Sequence, residues 1–385
     1  MSFLTGSSSH SWHPIMTTDT TVLRYWWNWR FLISAIFILS SMVLAAVLIW
    51  KYEGCKKSRR GRRENQRETI GSLYEDEAWR TSFKVIHPTW LLAYRVVVFV
   101  LLLSLIVTNF VLDGAGILYF YTQWTFCLVT IYFGLGSSLS IYGCYKYRNR
   151  VGEDAADRVR HEEQGSTYVA PTLGKNADTS NSSKSFTDEE CPSHQGAGLI
   201  VYIFQVIYQM CGGAVVLTDV VFWLILYPFL TSKDYKLDFM MASMHSFNLV
   251  FLLGETTLNS LRFPLFRISY FVLWTGVFVI FQWIIHACKN MWWPYPFLDL
   301  SSSYAPLWYL GVGVMHIPCY GIFALIIWMK QCGSQDHSRS LFRVRGDTLC
   351  SLNHKTSYCA TNPAQSLDIK EPLVISFFGL DIGEK

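Results

Sequence analysis

Charge is scarce in this chain: Asp, Glu, Lys and Arg make up 16 % of the 385 residues, against 51 % hydrophobic. A soluble domain of this length carries roughly a quarter charged residues, so a soluble globular class is excluded. Disulfide chemistry is missing too. None of the ten cysteines falls in a loop expected outside the cytosol, although Cys288 sits at a span edge. No internal repeat is visible, which argues against an inverted-repeat transporter built on Glu255, Asp219 and Arg95. No His-Glu-x-x-His spacing supports a zinc hydrolase. A seven-span receptor or adaptor remains a competing layout, but Asp-Arg-Tyr after the third span and Asn-Pro-x-x-Tyr in the seventh are both absent.

What the chain does hold is long apolar runs. Windows of about 20 such residues suffice to cross a bilayer, and they occur at 31–50, 89–112, 117–145, 199–230, 239–261, 264–288 and 304–330. They predict an all-α integral membrane protein of seven transmembrane helices, a six-helix bundle plus an extra N-terminal span. The runs are too long for barrel strands, which need only about 10 residues. The 199–230 run exceeds a straight crossing and is expected to tilt, to bend at Gly212-Gly213, or to end outside the hydrocarbon. Lys and Arg alternate sharply between successive loops, twenty-six on one side against five on the other. The positive-inside rule then places the N-terminus outside and the C-terminus in the cytosol.

In chain order, 1–30 is a polar outside segment and 31–50 a plain anchor, read as a retained signal anchor. Residues 51–88 form a basic cytosolic loop, 89–145 the first two spans of the bundle, and 146–198 a disordered cytosolic linker. Residues 199–330 supply the other four spans and 331–385 the cytosolic tail. The basic run 51–63 can meet anionic lipid, although enforcing topology is explanation enough for it; a run held this close to a bilayer is a poor nucleic-acid site. Cys55 and Cys332 are juxtamembrane candidates for palmitoylation. Nothing in the sequence separates the endoplasmic reticulum from the plasma membrane.

Chemistry is expected in the segment Met240 to Asn259, which carries too much polarity for a passive anchor. On a continuous helix His245, Asn248, Glu255 and Asn259 fall within an arc of roughly 80°. Such a stripe faces the bundle interior or a wet cavity; interhelical hydrogen bonding alone could explain it. Thr122, about 7–8 Å deep in the third span, lies level with His245 at about 9 Å, taking 1.5 Å per residue. A hydroxyl and an imidazole at one depth can act as nucleophile and base, provided they meet. Asn248 is a candidate to orient the imidazole or to bind an oxyanion. Arg95 and Glu255 are level near the opposite face, about 9 Å in, and are expected to form a structural ion pair. His286 and His316 differ in depth, so no bis-histidine haem is expected, and neither is any other cofactor or metal.

These residues resemble a known family. Thr122 and Gly134 in an aromatic-rich span, Phe222-Trp-Leu-Ile-Leu-Tyr, Met244-His245-Ser ten residues before Glu255, and Trp293-Pro-Tyr-Pro-Phe-Leu follow its order and spacing. The pattern is similar to that of the androgen-induced-protein family of membrane threonine lipid hydrolases. The chain as a whole looks closest to the related rolling-stone-like transmembrane proteins, including their plant branch, over roughly 90–330. The resemblance implies cleavage of fatty acid esters of hydroxy fatty acids, with Thr122 as nucleophile and His245 as catalytic histidine. This chain departs from the pattern in its extra first span, its 146–197 insert, and Ser246 where the family commonly has Thr. The rolling-stone-like branch is associated with membrane fusion, which supplies a non-catalytic alternative.

Overall fold

A computed structural model describes residues 18–53, 75–82, 86–165, 198–230, 237 and 239–353. The chain forms two compact units, Met1–Ser334 and Gln335–Lys385. The long helices are α1 (Trp29–Glu53), α2 (Pro88–Asp113), α3 (Tyr121–Gly165) and α4 (Leu199–Val220). They are followed by α5 (Phe239–Met244), α6 (Phe247–Leu258), α7 (Ile268–Cys288) and α8 (Ala305–Asn353). In the second unit, the described residues belong to the end of α8.

Six helices are long and apolar enough to cross a membrane, which makes this a multi-pass membrane protein. The burial pattern agrees with that reading. Arg95, Asn109, Gln209, Asn248, Glu255 and Gln282 are buried, whereas Leu44, Val97, Val111 and Leu325 are exposed. Polar groups inside and aliphatic groups outside suit a lipid surround. The segment expected as a fifth span, 239–261, is not among the six: it is two short helices broken at His245-Ser246.

Local sequence explains several helix ends. Pro88 opens α2 at a position where a missing N–H costs nothing, and His87 Nδ1 accepts from Thr89 N at 3.3 Å. Gly114, at φ 67°, ends the same helix in a conformation that suits glycine. Helix α4 runs through the Gly212-Gly213 pair without interruption. A Cβ on Gly212 would lie 2.6 Å from Phe323, and one on Gly213 2.5 Å from Phe271, so both positions serve close packing. The change of winding comes later, where Val221–Leu230 continues as a π-helix containing Pro228.

Three expectations are corrected. The first span is not set apart from the bundle: α1 packs along α7, with Phe31 against Trp283 and Met42 over Gly276. Glu53 at its end accepts from the buried Arg267 at 2.8 Å. The segment read as a linker from 146 begins as helix, since α3 runs on to Gly165; residues 166–197 lie outside the described residues. Likewise the expected tail from 331 starts inside α8, which continues to Asn353.

Candidate functional site

The site begins at the helix break. A continuous helix through His245 would satisfy its own carbonyls; breaking it at His245-Ser246 frees two of them. Trp223 Nε1 donates to the His245 carbonyl at 3.0 Å, and Asn248 Nδ2 donates to the Met244 carbonyl at 3.3 Å. The π-helix supplies the first donor, because its wider winding presents Phe222 and Trp223 to the break. The His245 imidazole lies flat on Phe222, with ring centroids 3.7 Å apart and planes 5° apart. His245 is 9 % exposed, and its Nδ1 is buried without a hydrogen-bond partner.

Thr122 is the second residue of α3, just after Phe120 turns the chain out of a short 3-10 helix. The first N–H groups of any helix have no acceptor within it. The phenol of Tyr295 lies close to the amides of Tyr121 and Thr122 and to the Thr122 hydroxyl. Tyr295 comes from the loop between α7 and α8, and its ring stacks on Phe297 at 5.1 Å. Burial pushes the Tyr295 phenol above the usual tyrosine range, while the Thr122 hydroxyl and the two amides pull it down.

Thr122, His245 and Tyr295 line one cavity of about 60 Å³. Its other walls are chiefly apolar, with Leu217, Val221, Leu226, Phe278, Val279 and Val312 among them. The hydroxyls of Thr218 and Thr275 add polarity, and Thr275 is held by Tyr121 at 2.8 Å and by His316 Nε2 at 2.9 Å. Among the described residues, no Lys, Arg, Asp or Glu lines the cavity. Among the described residues, no hydrogen bond joins Thr122 directly to His245.

The Tyr295 loop is braced from several sides. Trp293 lies flat on His286 at 3.6 Å, and its indole donates to the Tyr25 hydroxyl at 3.1 Å. Tyr25 in turn donates to Asp299 at 2.8 Å and accepts from Leu300 N at 3.1 Å. Burial, then the Asp299 charge, holds the Tyr25 phenol far above its usual range. Tyr309 donates to the Leu298 carbonyl at 3.0 Å. The segment before α1 is therefore part of the scaffold behind the site.

A second polar cluster is separate from the cavity. Arg95 reaches Glu255 Oε1 through Nε at 3.0 Å and Nη2 at 2.6 Å. Its Nη1 donates to the carbonyls of Ala78 and Gly136 and to Ser140 Oγ. Tyr132 and Asn259 also donate to Glu255 Oε1, whereas Oε2 has no partner. Asn259, expected on a shared helical face, lies beyond the end of α6 and pairs with Thr81 in an isolated antiparallel bridge.

The remaining candidates fall elsewhere. Asn248 is buried on the Met244 carbonyl and does not line the cavity; its Oδ1 is unpartnered. His286 is bonded to Tyr119 at 2.8 Å, and His316 to the Val312 carbonyl at 2.9 Å. Asp219 Oδ1 is buried without a partner. Among the described residues, no group of three His, Cys, Asp or Glu could hold a metal. Cys332 is half-buried on α8, and Cys55 with most of the basic run lies outside the described residues. Sequence reasoning assigned no role to Tyr295 or Phe222 individually, although both sit in the motifs quoted for the family resemblance. No family model, curated protein or solved structure matches the chain.

Proposed function

We propose that this protein is an intramembrane threonine hydrolase that cleaves a lipid ester. The observation that carries the reading is the placement of Thr122 and His245 on one cavity whose remaining walls are mostly apolar. Such walls suit an acyl chain, and the absence of charge in them disfavours an ionic substrate. The broken segment is proposed as a seventh crossing, so that the charge asymmetry of the loops puts the Thr122 end at the outer or lumenal leaflet. The resemblance to the androgen-induced-protein family points to fatty acid esters of hydroxy fatty acids as the substrate class.

The chemistry follows from those groups. Thr122 Oγ bonds to the ester carbonyl carbon as its proton passes to a ring nitrogen of His245. The carbonyl electron pair moves onto oxygen, then returns as the bond to the alcohol breaks, and His245 gives the proton to the leaving alkoxide. Water adds to the acyl-threonine in the same way, giving its proton to His245. Collapse releases the carboxylic acid and returns a proton to Thr122. Phe222, stacked on the imidazole, fixes the plane in which the ring works.

A fluorophosphonate probe on the purified protein tests this reading. Labelling is expected in the wild type and lost in Thr122→Ala and His245→Ala. Labelling that persists in Thr122→Ala would remove Thr122 as nucleophile. No labelling and no lipid-ester turnover at all would leave a non-catalytic membrane adaptor.

A further inference from the structure

We propose that Tyr295 is a third catalytic residue, whose phenol O–H joins the backbone N–H groups of Tyr121 and Thr122 in binding the oxyanion formed on the ester. The inference rests on the threonine-hydrolase reading and assigns the part of the reaction that Thr122 and His245 leave open. The negative charge that develops on the carbonyl oxygen needs donors fixed in advance.

The structure offers few such donors. Among the described residues no Lys or Arg lines the cavity, and Asn248 is committed to the Met244 carbonyl. The start of α3 supplies two N–H groups that its own helix cannot satisfy, and a helix start also favours nearby negative charge. Tyr295 lines the same cavity as Tyr121 and Thr122, and its phenol is near enough to the Thr122 hydroxyl and the two amides for them to pull its titration down. His245, unpartnered at Nδ1 and nine-tenths buried, lines the same cavity. Nucleophile, base and donors therefore share one apolar chamber, where each hydrogen bond to a developing charge counts for more than in water.

Position also requires that the phenol be held, and it is. Tyr295 lies parallel to Phe297, and its loop is tied at Trp293, Leu298, Asp299 and Leu300. With its phenol pushed above the usual tyrosine range by burial, Tyr295 keeps its proton at neutral pH and remains a donor. The proton need not leave Tyr295 at any step: it bonds the oxyanion as that forms and relaxes as the intermediate collapses.

The test uses the full-length protein in detergent and a short-chain p-nitrophenyl ester. Tyr295→Phe removes the hydroxyl and keeps the stacked ring. It is expected to lower kcat about 100-fold with KM within two-fold, and to slow fluorophosphonate labelling of Thr122 by a similar factor. Tyr295→His, which keeps a donor near the same place, is expected to recover part of that loss. If wild type turns over and Tyr295→Phe keeps kcat within three-fold, the role is overturned while the hydrolase reading stands. Faster turnover or labelling in Tyr295→Phe would also overturn it, since the phenol would then be a plug. Should Tyr295→Phe elute as aggregate, Tyr295→His and Tyr295→Gln decide: activity lost from both folded donor variants as fully as from Thr122→Ala overturns the role. A wild type with no turnover overturns the reaction and this role together.

Discussion

Arg95 Nη2 lies 2.6 Å from Glu255 Oε1, and neither side chain has any exposed surface. Removing one partner of such a pair strands the other charge away from water, which costs about 3–5 kcal/mol. Arg95→Ala and Glu255→Ala are each expected to lower the thermal midpoint in detergent sharply. The double mutant should lose much less than the two losses added together. Arg95→Lys should also destabilise, because one ammonium cannot reach Glu255, the Ala78 carbonyl and Ser140 at once. Strict additivity in the cycle would show that the pair is not coupled.

The guanidinium also explains why the segment before α2 is anchored. Ala78 gives its carbonyl to Arg95, and Trp79 lies across Gly143 of α3. A Cβ on Gly143 would lie 2.2 Å from Trp79 Cγ and 2.6 Å from Trp79 Cβ, too near the backbone for the ring simply to swing aside. Gly143→Ala is therefore expected to cost about 1–3 kcal/mol, read as a lowered thermal midpoint. Gly311→Ala, which meets nothing within 4 Å, should be close to neutral in the same assay.

At the helix break, Trp223 is the donor that keeps the His245 carbonyl satisfied. Trp223→Phe keeps an aromatic ring but removes the N–H, leaving a buried carbonyl unpaired at about 1–3 kcal/mol. Lower stability is expected together with a fall in fluorophosphonate labelling, because the same break carries the imidazole. Unchanged labelling in folded Trp223→Phe would mean that the break does not position His245.

The apolar runs made the helices legible, because crossing a bilayer demands length and hydropathy that few other constraints imitate. The break at His245-Ser246 was not legible. No Pro or Gly stands there, and the alternative to helix becomes tolerable only once a distant indole and the Asn248 amide take the freed carbonyls. Matched depth brought Thr122 and His245 into consideration, yet the same argument was blind to Tyr295, which sits in a loop and has no depth on a helix. The docking of α1 was hidden for another reason. Its sequence is apolar all round, and its tight contacts fall on glycines of other helices, Gly276 and Gly313.

That docking yields the last prediction. Phe37 and Met42 of α1 fill the space where side chains on Gly313 and Gly276 would stand. At the far end of the helix, Glu53 holds Arg267, which is 1 % exposed, and accepts hydroxyls from Tyr202 and Tyr270. At the other end, Tyr25 and Thr20 join the loop and helix end behind Tyr295. A helix held by packing along its length and by polar contacts at both ends should stay bound when its covalent link is cut. With a protease site placed between residues 54 and 74, the fragment bearing α1 is expected to co-elute with the rest of the protein after cleavage in mild detergent. Gly276→Leu should release it, by driving a side chain into Met42, and Glu53→Ala should weaken the hold by leaving Arg267 unpaired. Release of the cleaved wild-type fragment under the same conditions would show that the first span is only a tether.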